Sequence, residues 1–331
     1  MSANPDQKSP VEVGKRQLSI KSLRKLEFSL GVSRATLHSV ALNAEAYYSP
    51  FPQLPRTRPF QKIFTPGKKR IIDNPTEPLR TIQKRIQKRL LATLDLPYYL
   101  CGGVRGRNLL DNVTMHLGAP VIVAVDIKDF FPSIDNRRVY QVWSDLLRCS
   151  AEISGLLTRL TTRMHHLPKG SSTSTMLANL ALFSVDAPIR EACAKMDIRY
   201  STWVDDLAFS GPKSRDILPL VVRTLKDAGF AVSRKKVRVM GRGTRQSLNG
   251  ILLGRFPNAL PERVKQLRAG IHKLRSRQVP LTNQKDYILR LGSSIAQVSS
   301  INPEKGARLR AEFDYAKRRA AISDRLSGAV P

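Results

Sequence analysis

Two aspartates stand side by side in an apolar stretch, RYSTWVDDLAFSG at residues 199–211. Asp205 and Asp206 are flanked by Tyr200, Trp203 and Val204 on one side and by Leu207, Ala208 and Phe209 on the other. A third acid, Asp126, closes the β-branched run of PVIVAVDIKDFFPSI at 120–134. Acids at the ends of apolar strands are costly unless hydrated, paired or bound to a cation. Any one of them alone reads as a turn or capping residue. Together they read as hard oxygen ligands converging at one sheet edge. Such oxygens suit Mg²⁺, which takes one or two carboxylates plus substrate phosphates, with Mn²⁺ the alternative. Two ions about 3.5–4 Å apart serve in-line phosphoryl transfer. One promotes attack by a hydroxyl, and the other steadies the leaving pyrophosphate.

The bulk composition supplies the positive charge that this chemistry needs. Across 331 residues, 56 Lys and Arg face 26 Asp and Glu, a formal net charge of +30. Such a surplus repels itself in isolation and favours a polyanion, nucleic acid first. A solvated basic surface or an anionic lipid is the alternative. A hydrophobic fraction of 41% supports a packed core and excludes wholesale disorder. No run of about 20 apolar residues offers a membrane span, and MSANPDQKSPVEVGKRQLSI lacks the apolar core of a signal peptide. Cys101, Cys149 and Cys193 are widely spaced and form no CxxC pair, which argues against a zinc site or a disulfide framework. A reducing cytoplasmic compartment is the expectation.

The elements that must position the acids follow from pattern. Residues 18–48 predict two helices, with Ser33 an N-cap. SPFPQLPRTRP at 49–59 predicts a linker, and FQKIFTPGKKRIIDNP predicts a hairpin with a basic Pro-Gly tip. In 77–94, Leu79, Ile82, Ile86, Leu90 and Leu94 have helical spacing, and Arg80, Lys84, Arg85, Lys88 and Arg89 make the other face basic. That face is either simply solvated or tracks phosphates. The run at 120–128 predicts a buried strand. A helical region follows to about residue 165, then a small-residue loop and a helix from about Ser174. IRYSTWVDDLAFSG predicts a hairpin, ILPLVVRTLKDAG a helix closed by Gly229, and FAVSRKKVRVM and SLNGILLG two short strands. Residues 261–326 read as helical and basic. A small sheet flanked by helices, with helical parts before and after, is the expected α+β architecture.

VDIKDFFPSI, LPKGSSTSTMLANL and WVDDLAFSG, in that order, resemble the palm motifs of reverse transcriptases. FQKIFTPGKKRII resembles the fingers motif before them, and AGFAVSRKKVRV the later strand whose lysine approaches the triphosphate. GGVRGRNLLDNVTMH resembles the glycine-rich segment ending in Asn-x-x-x-His of retron reverse transcriptases, with Asn112 and His116 at its fixed positions. LNGILLGRFPNALPERVKQLRAGIHKLR and LGSSIAQVSSINPEKGARLRAEF resemble the retron stretch after the palm and the end of its thumb. The resemblance covers residues 18–320. It implies a right-hand polymerase fold: an N-terminal helical extension and linker at 1–59, fingers at 60–119, a palm with an interleaved fingers segment at 120–257, and a helical thumb at 258–331.

By this resemblance Asp126, Asp205 and Asp206 hold two metals, and Ile127 adds only its backbone carbonyl. Phe131 is the steric gate that crowds a ribose 2′-hydroxyl, although either Phe130 or Phe131 could be core. Arg70 contacts the triphosphate, while Lys68 and Lys69 sit on the same basic turn and Lys68 reaches the template. Lys169 and Gly170 line the nucleotide, with Ser171 to Ser174 bonding phosphate or template backbone or else capping the next helix. Lys236 donates to the departing pyrophosphate, with Lys235 its rival because adjacent strand residues face opposite ways. Asn112 and His116 are either structural or bind the partner RNA. On the thumb helix, Val264, Leu267, Ile271 and Leu274 face inward. Arg263, Lys265, Arg268, His272, Lys273, Arg275 and Arg277 then meet duplex or structured RNA through phosphates and 2′-hydroxyls.

Three positions depart from the family pattern. Lys169 replaces a glutamine, whose paired donor and acceptor a lysine cannot copy. Trp203 replaces a tyrosine or phenylalanine, and Leu-Asn-Gly replaces Val-Thr-Gly. None removes a metal ligand. The resemblance further implies an RNA-directed DNA polymerase that recognises a structured non-coding RNA from its own locus. Priming starts from a guanosine 2′-hydroxyl and yields a branched RNA–DNA hybrid (msDNA) from deoxynucleoside triphosphates. The resemblance also implies a role in anti-phage defence with a separate effector protein, and no fused effector domain is expected because the thumb pattern runs almost to Pro331. A reverse transcriptase of another bacterial defence or group II intron type is the alternative within the class, although no maturase or endonuclease extension follows. A non-catalytic RNA-binding scaffold is the alternative outside it, and the intact acids argue against it.

Overall fold

The computed structural model describes residues 18–53, 70–276 and 278–327. Two helices open the chain, α1 (Leu23–Leu30) and α2 (Arg34–Leu42). Each begins on a serine whose hydroxyl accepts a backbone N–H, Ser22 from Lys25 and Ser33 from Thr36, which satisfies a donor the helix leaves open. The expected linker is in part a strand: β1 (Tyr48–Gln53) pairs with β2 (Arg70–Pro75) in a two-stranded sheet. Pro50 and Pro52 are tolerated there because a two-stranded ribbon leaves one edge of each strand unpaired. The first arm of the expected hairpin and its Pro-Gly tip, with Lys68 and Lys69, lie outside the described residues; Arg70 begins β2.

Helix α3 (Leu79–Arg89) buries Leu79, Ile82, Gln83 and Ile86. Part of its basic face has a use the sequence did not suggest. Arg85 donates to the carbonyls of Leu30 and Gly31, and Arg89 to that of Ser29. Two guanidiniums therefore close the C-terminal end of α1, where open carbonyls and the helix dipole favour cations. Lys84 and Lys88 remain exposed.

Next come α4 (Leu109–Thr114), β3 (Val121–Lys128), α5 (Asn136–Gln141), α6 (Ala151–Thr161), α7 (Ser174–Phe183) and α8 (Ala187–Lys195). They are followed by β4 (Arg199–Trp203), β5 (Asp206–Ser210), α9 (Leu218–Asp227), β6 (Ala231–Val232) and β7 (Arg238–Gly241). The antiparallel sheet runs β4-β5-β3, and β6 and β7 both pair with the far side of β3. Flanked on both sides, β3 buries every residue from Ile122 to Ile127, which is why its sequence reads as continuous rather than alternating. Trp143, Leu157, Leu177, Leu180 and Phe209 belong to the core of this unit.

Residues 18–52 together with 71–243 form one compact unit, and 244–327 belong to a second. The second opens with a three-stranded antiparallel sheet of β8 (Ser247–Leu248), β9 (Ile251–Leu253) and β10 (Pro257–Ala259). Three helices follow, α10 (Pro261–Arg275), α11 (Leu281–Ile301) and α12 (Pro303–Ser327). Leu267, Ile271, Leu274, Leu291, Ile295 and Phe313 help form its separate core. The structural break falls at 243/244, before β8. Among the described residues no helix is long and apolar enough to cross a membrane, and Cys101, Cys149 and Cys193 are buried free thiols.

Candidate active site

Strand pairing puts the acids together. β3 and β5 run antiparallel with Asp126 opposite Asp206, and β4 pairs with β5 so that Trp203 is opposite Asp206. Val204 and Asp205 make the turn between β4 and β5. Val204 sits at φ 61°, an outlier for a β-branched residue and one that costs about 1–3 kcal/mol. Two backbone bonds fix the edge: Ile127 N–H donates to the Asp205 carbonyl and Ser233 N–H to that of Asp126, each at 2.9 Å. The Ile127 side chain is buried, so its backbone is what it has to offer.

The electrostatics reflect three acids at one edge. Burial pushes the Asp206 carboxyl up to about 6, and Asp205 and Asp126 push it further in the same direction, against Lys236 and Arg238. Lys236 Nζ donates to Asp126 Oδ2 at 2.7 Å. A cavity of about 300 Å³ opens here, with Asp126, Asp206, Lys235, Lys236 and Arg238 among its lining residues. Among the described residues no three His, Cys, Asp or Glu side chains close into a preformed cation cage. The donors nonetheless fit a hard divalent cation, because the repulsion that raises Asp206 is what a cation between carboxylates relieves. Asp126, Asp205 and Asp206 are the residues that would hold it.

Lys236 reaches Asp126 because the expected single strand is broken. β6 pairs with β3 at Ile127 and Lys128, and β7 pairs with it at Val121 to Ala124. Between them the chain leaves the sheet in a 3-10 turn, Arg234–Lys236. Strand alternation therefore does not separate Lys235 from Lys236, since both line the cavity. The ion pair singles out Lys236. Arg238, two residues on and also lining the cavity, is a charge that motif reading missed.

The two phenylalanines divide as one core and one half-exposed residue. Phe130 is 2% exposed, with its ring 5.6 Å from that of Phe230. Phe131 packs only partly against the core. The loop at 168–174 is tied to β2. Asp73 N–H donates to the Lys169 carbonyl, Lys169 N–H donates back to Asp73 Oδ2 at 3.1 Å, and Asp73 pairs with Arg163. Gly170 has φ 126°, and a Cβ there would come within 2.9 Å of the Asp73 carbonyl oxygen. Its close backbone approach is therefore to β2. Ser171 donates to Gln83 and Ser174 to the Pro168 carbonyl. Both are buried, as is Thr173, whereas Ser172 is exposed. These buried hydroxyls fasten the loop inward.

Asn112 and His116 are 1% and 0% exposed, so neither presents its side chain to a nucleic acid. His116 bridges the base of the hairpin, with Nδ1 2.7 Å from Ser210 Oγ and Nε2 2.6 Å from Ser201 Oγ. Burial pushes its imidazole down to about 3, so it stays neutral. Of the two readings open in the sequence, the geometry is that of a scaffold. The two serines inside an otherwise apolar hairpin were the available signal. In the second unit, Val264, Leu267, Ile271 and Leu274 of α10 turn to the core while Lys265, Arg268, His272, Lys273 and Arg275 are exposed. Arg263 is half-buried, and Glu312 lies 3.6 Å from Arg268 and offsets its charge. Arg277 lies outside the described residues.

An antiparallel sheet that brings three aspartates to one edge, beside a cavity lined by basic side chains, suits phosphoryl transfer. The chain belongs to the reverse transcriptase (RNA-dependent DNA polymerase) family, whose pattern matches residues 58–295. It is 30% identical over 196 residues to the retron Se72 reverse transcriptase of Salmonella heidelberg, covering 59% of this chain and 49% of that one. It is 29% identical over 242 residues to the retron Mx162 reverse transcriptase of Myxococcus xanthus, covering 62% and 50%. It is 27% identical over 226 residues to the retron Ec86 reverse transcriptase of Escherichia coli, covering 64% and 69%. The chain thus spans about half the length of the first two relatives.

Proposed function

We propose that this chain is an RNA-directed DNA polymerase of the retron type. The observation that carries the reading is the register that sets Asp126 opposite Asp206, with Asp205 in the adjoining turn and Lys235, Lys236 and Arg238 lining the cavity beside them. Retron reverse transcriptases as relatives support the type.

In this reading Asp126, Asp205 and Asp206 hold Mg²⁺, or Mn²⁺ in its place. When bound, the metal supplies charge neutralisation at the phosphates and activation of the attacking hydroxyl. The chain's own groups do the rest. Lys236 releases a proton to the departing pyrophosphate. Phe131, half-exposed beside buried Phe130, crowds a ribose 2′-hydroxyl. Arg70, Lys169 and Gly170 flank the triphosphate and base pair, Lys68 and Lys69 the template. The first unit supplies fingers and palm, and the second the thumb, whose Lys265, Lys273 and Arg275 track RNA phosphates. The template is a structured RNA from the chain's own locus, primed at a guanosine 2′-hydroxyl. The product is a branched RNA–DNA hybrid, used in anti-phage defence with a separate effector protein.

Purification from native cells tests the reading. Nuclease treatment should reveal a co-purifying RNA–DNA hybrid. The double variant Asp205→Asn, Asp206→Asn should retain the RNA and lose the DNA. DNA that persists in that variant overturns the assignment of the acids. RNA without DNA in the wild type favours a non-catalytic scaffold.

A further inference from the structure

The glycine-rich segment before β3 has no part in the mechanism above, yet it lies against the acid-bearing turn. Tyr99 to Gly102 run along the outer edge of β4: Thr202 N–H donates to the Tyr99 carbonyl at 2.8 Å and Cys101 N–H to the Thr202 carbonyl at 2.9 Å. At Gly102 the contact reaches the turn itself. A Cβ on Gly102 would lie 2.5 Å from Val204 N, 2.6 Å from Val204 Cγ2 and 3.0 Å from the Trp203 carbonyl carbon. Two of those atoms are backbone, which cannot swing aside as a side-chain end can. The opposite side of the Gly102 peptide is held as well. Asn179, buried on α7, donates from Nδ2 to the Gly102 carbonyl at 2.7 Å. Gly103, at φ 70°, lies against Thr175 in the first turn of the same helix.

A strained turn persists only when its surroundings over-determine it. Val204 is such a residue, and Asp205 and Asp206 follow it directly. Gly102 is the neighbour whose backbone occupies the space on the turn's flank, and Asn179 fixes where that backbone lies. The geometry points to Gly102, held by Asn179, as a positioning residue for the catalytic hairpin: the pair sets the place of the Val204 turn and through it that of Asp205 and Asp206. The inference rests on the polymerase reading for its kinetic consequence, but not for its structural one.

The test compares Gly102→Ala, Gly102→Ala with Val204→Gly, and Asn179→Ala in the full chain bound to its RNA. Displacing a reacting group by about an ångström can cost on the order of 100-fold in rate. Gly102→Ala should therefore lower kcat for single-nucleotide addition about 10- to 100-fold, with KM for the deoxynucleotide and RNA retention within about twofold. Glycine at 204 is at ease with a left-handed backbone and lacks Cγ2, but the contacts to Val204 N and the Trp203 carbonyl carbon remain, so the double variant should recover only part of the rate. A second readout needs no activity. Trp203 adjoins the turn and the other tryptophan, Trp143, is fully buried, so acrylamide quenching should change at Trp203 in Gly102→Ala. Unchanged kcat and unchanged quenching overturn the proposal. So does a rate loss that merely follows the folded fraction. If Gly102→Ala does not fold, Asn179→Ala decides, because it adds no atom at the contact: lowered kcat at constant KM sustains the proposal, and wild-type kcat ends it. A wild-type protein that makes no DNA refutes the polymerase reading, and the quenching comparison then still judges the role of Gly102.

Discussion

Lys236 Nζ donates to Asp126 Oδ2 at 2.7 Å, joining a 3-10 turn to the central strand across 110 residues of sequence. The lysine side chain is 60% exposed and that of Asp126 10%, so the pair is only partly screened and contributes on the order of 1 kcal/mol. The pair sets an ammonium group beside the acids. Lys236→Ala should leave the thermal midpoint within a few degrees and slow nucleotide addition by about 10²–10⁴-fold, the usual contribution of a general acid. Lys236→Arg separates charge from acidity, because a guanidinium keeps the charge and does not release its proton. It should bind deoxynucleotide normally and remain slow. Lys235→Ala should cost less than about tenfold, an ordinary loss for a cavity charge that makes no pair with Asp126. Single-turnover primer extension on an RNA template measures all three.

The neighbouring phenylalanines should respond in opposite ways. Phe130 is core, ringed by Phe131 and Phe230, so Phe130→Ala should destabilise by about 3–5 kcal/mol. Phe131 is only partly buried, so Phe131→Ala should cost well under that and change selectivity instead. Ribonucleotide incorporation should rise about tenfold or more relative to deoxynucleotide, since removing a steric clash restores a substrate the pocket had excluded. Competing ribo- and deoxynucleotide in one extension assay reads the ratio directly. A ratio unchanged in Phe131→Ala removes the gate from this position.

The acids and their strands were legible because β3 is buried on both sides and writes a continuous apolar run, while the hairpin writes adjacent acids into apolar flanks. The helix start at Ser33 was equally readable, as an N-cap serine before a helical pattern. What the sequence did not disclose were long-range pairings. Arg85 and Arg89 looked like solvated or phosphate-binding charge, yet they serve the C-terminus of α1, about 55 residues earlier in the chain. Ser171 and Ser174 read as bonding phosphate or template backbone or else capping the next helix, and their partners, Gln83 and the Pro168 carbonyl, are set by tertiary packing. His116 read as either structural or RNA-binding, and two serines on different strands close around it. Local pattern carries element type, and it carries no information about which distant group a polar side chain meets.

The second unit offers a prediction about salt. Lys265, Lys273 and Arg275 are exposed on α10 and lie outside its apolar stripe. If they neutralise phosphates, each should contribute about 0.7–0.9 to the slope of log affinity against log salt. Replacing all three with glutamine should flatten that slope by about 2–3. Rates measured at saturating RNA should be unaffected, and so should the thermal midpoint, because exposed substitutions change stability little. Filter binding of the partner RNA across a salt series gives the slope, and a slope equal to the wild type's would place the phosphate contacts elsewhere.

A last prediction concerns Asp186, which is fully buried and accepts hydrogen bonds from Tyr99 at 2.9 Å, Tyr200 at 3.2 Å and Arg190 at 2.8 Å. Burial pushes its carboxyl up from 3.8 to about 6, against the pull of Arg190 and the two tyrosines. The folded state therefore holds this proton more tightly than the unfolded state does. Between about pH 4 and pH 6 the folded chain binds the extra proton, so the carboxyl's contribution to stability falls as pH rises through that window and is constant above it. At about 1.4 kcal/mol per pH unit, the fall amounts to ~2–3 kcal/mol. Asp186→Asn keeps the size of the side chain and an oxygen for the tyrosines but has no proton to lose. Its unfolding free energy should lie at a different baseline, because an amide facing Arg190 sets donor against donor. Relative to that variant, the wild type should lose stability from pH 4 to pH 6 and run parallel to it above pH 7. Urea unfolding of both proteins at several pH values gives the difference curve, and a flat difference across the window would mean that Asp186 is ionised in the folded chain throughout.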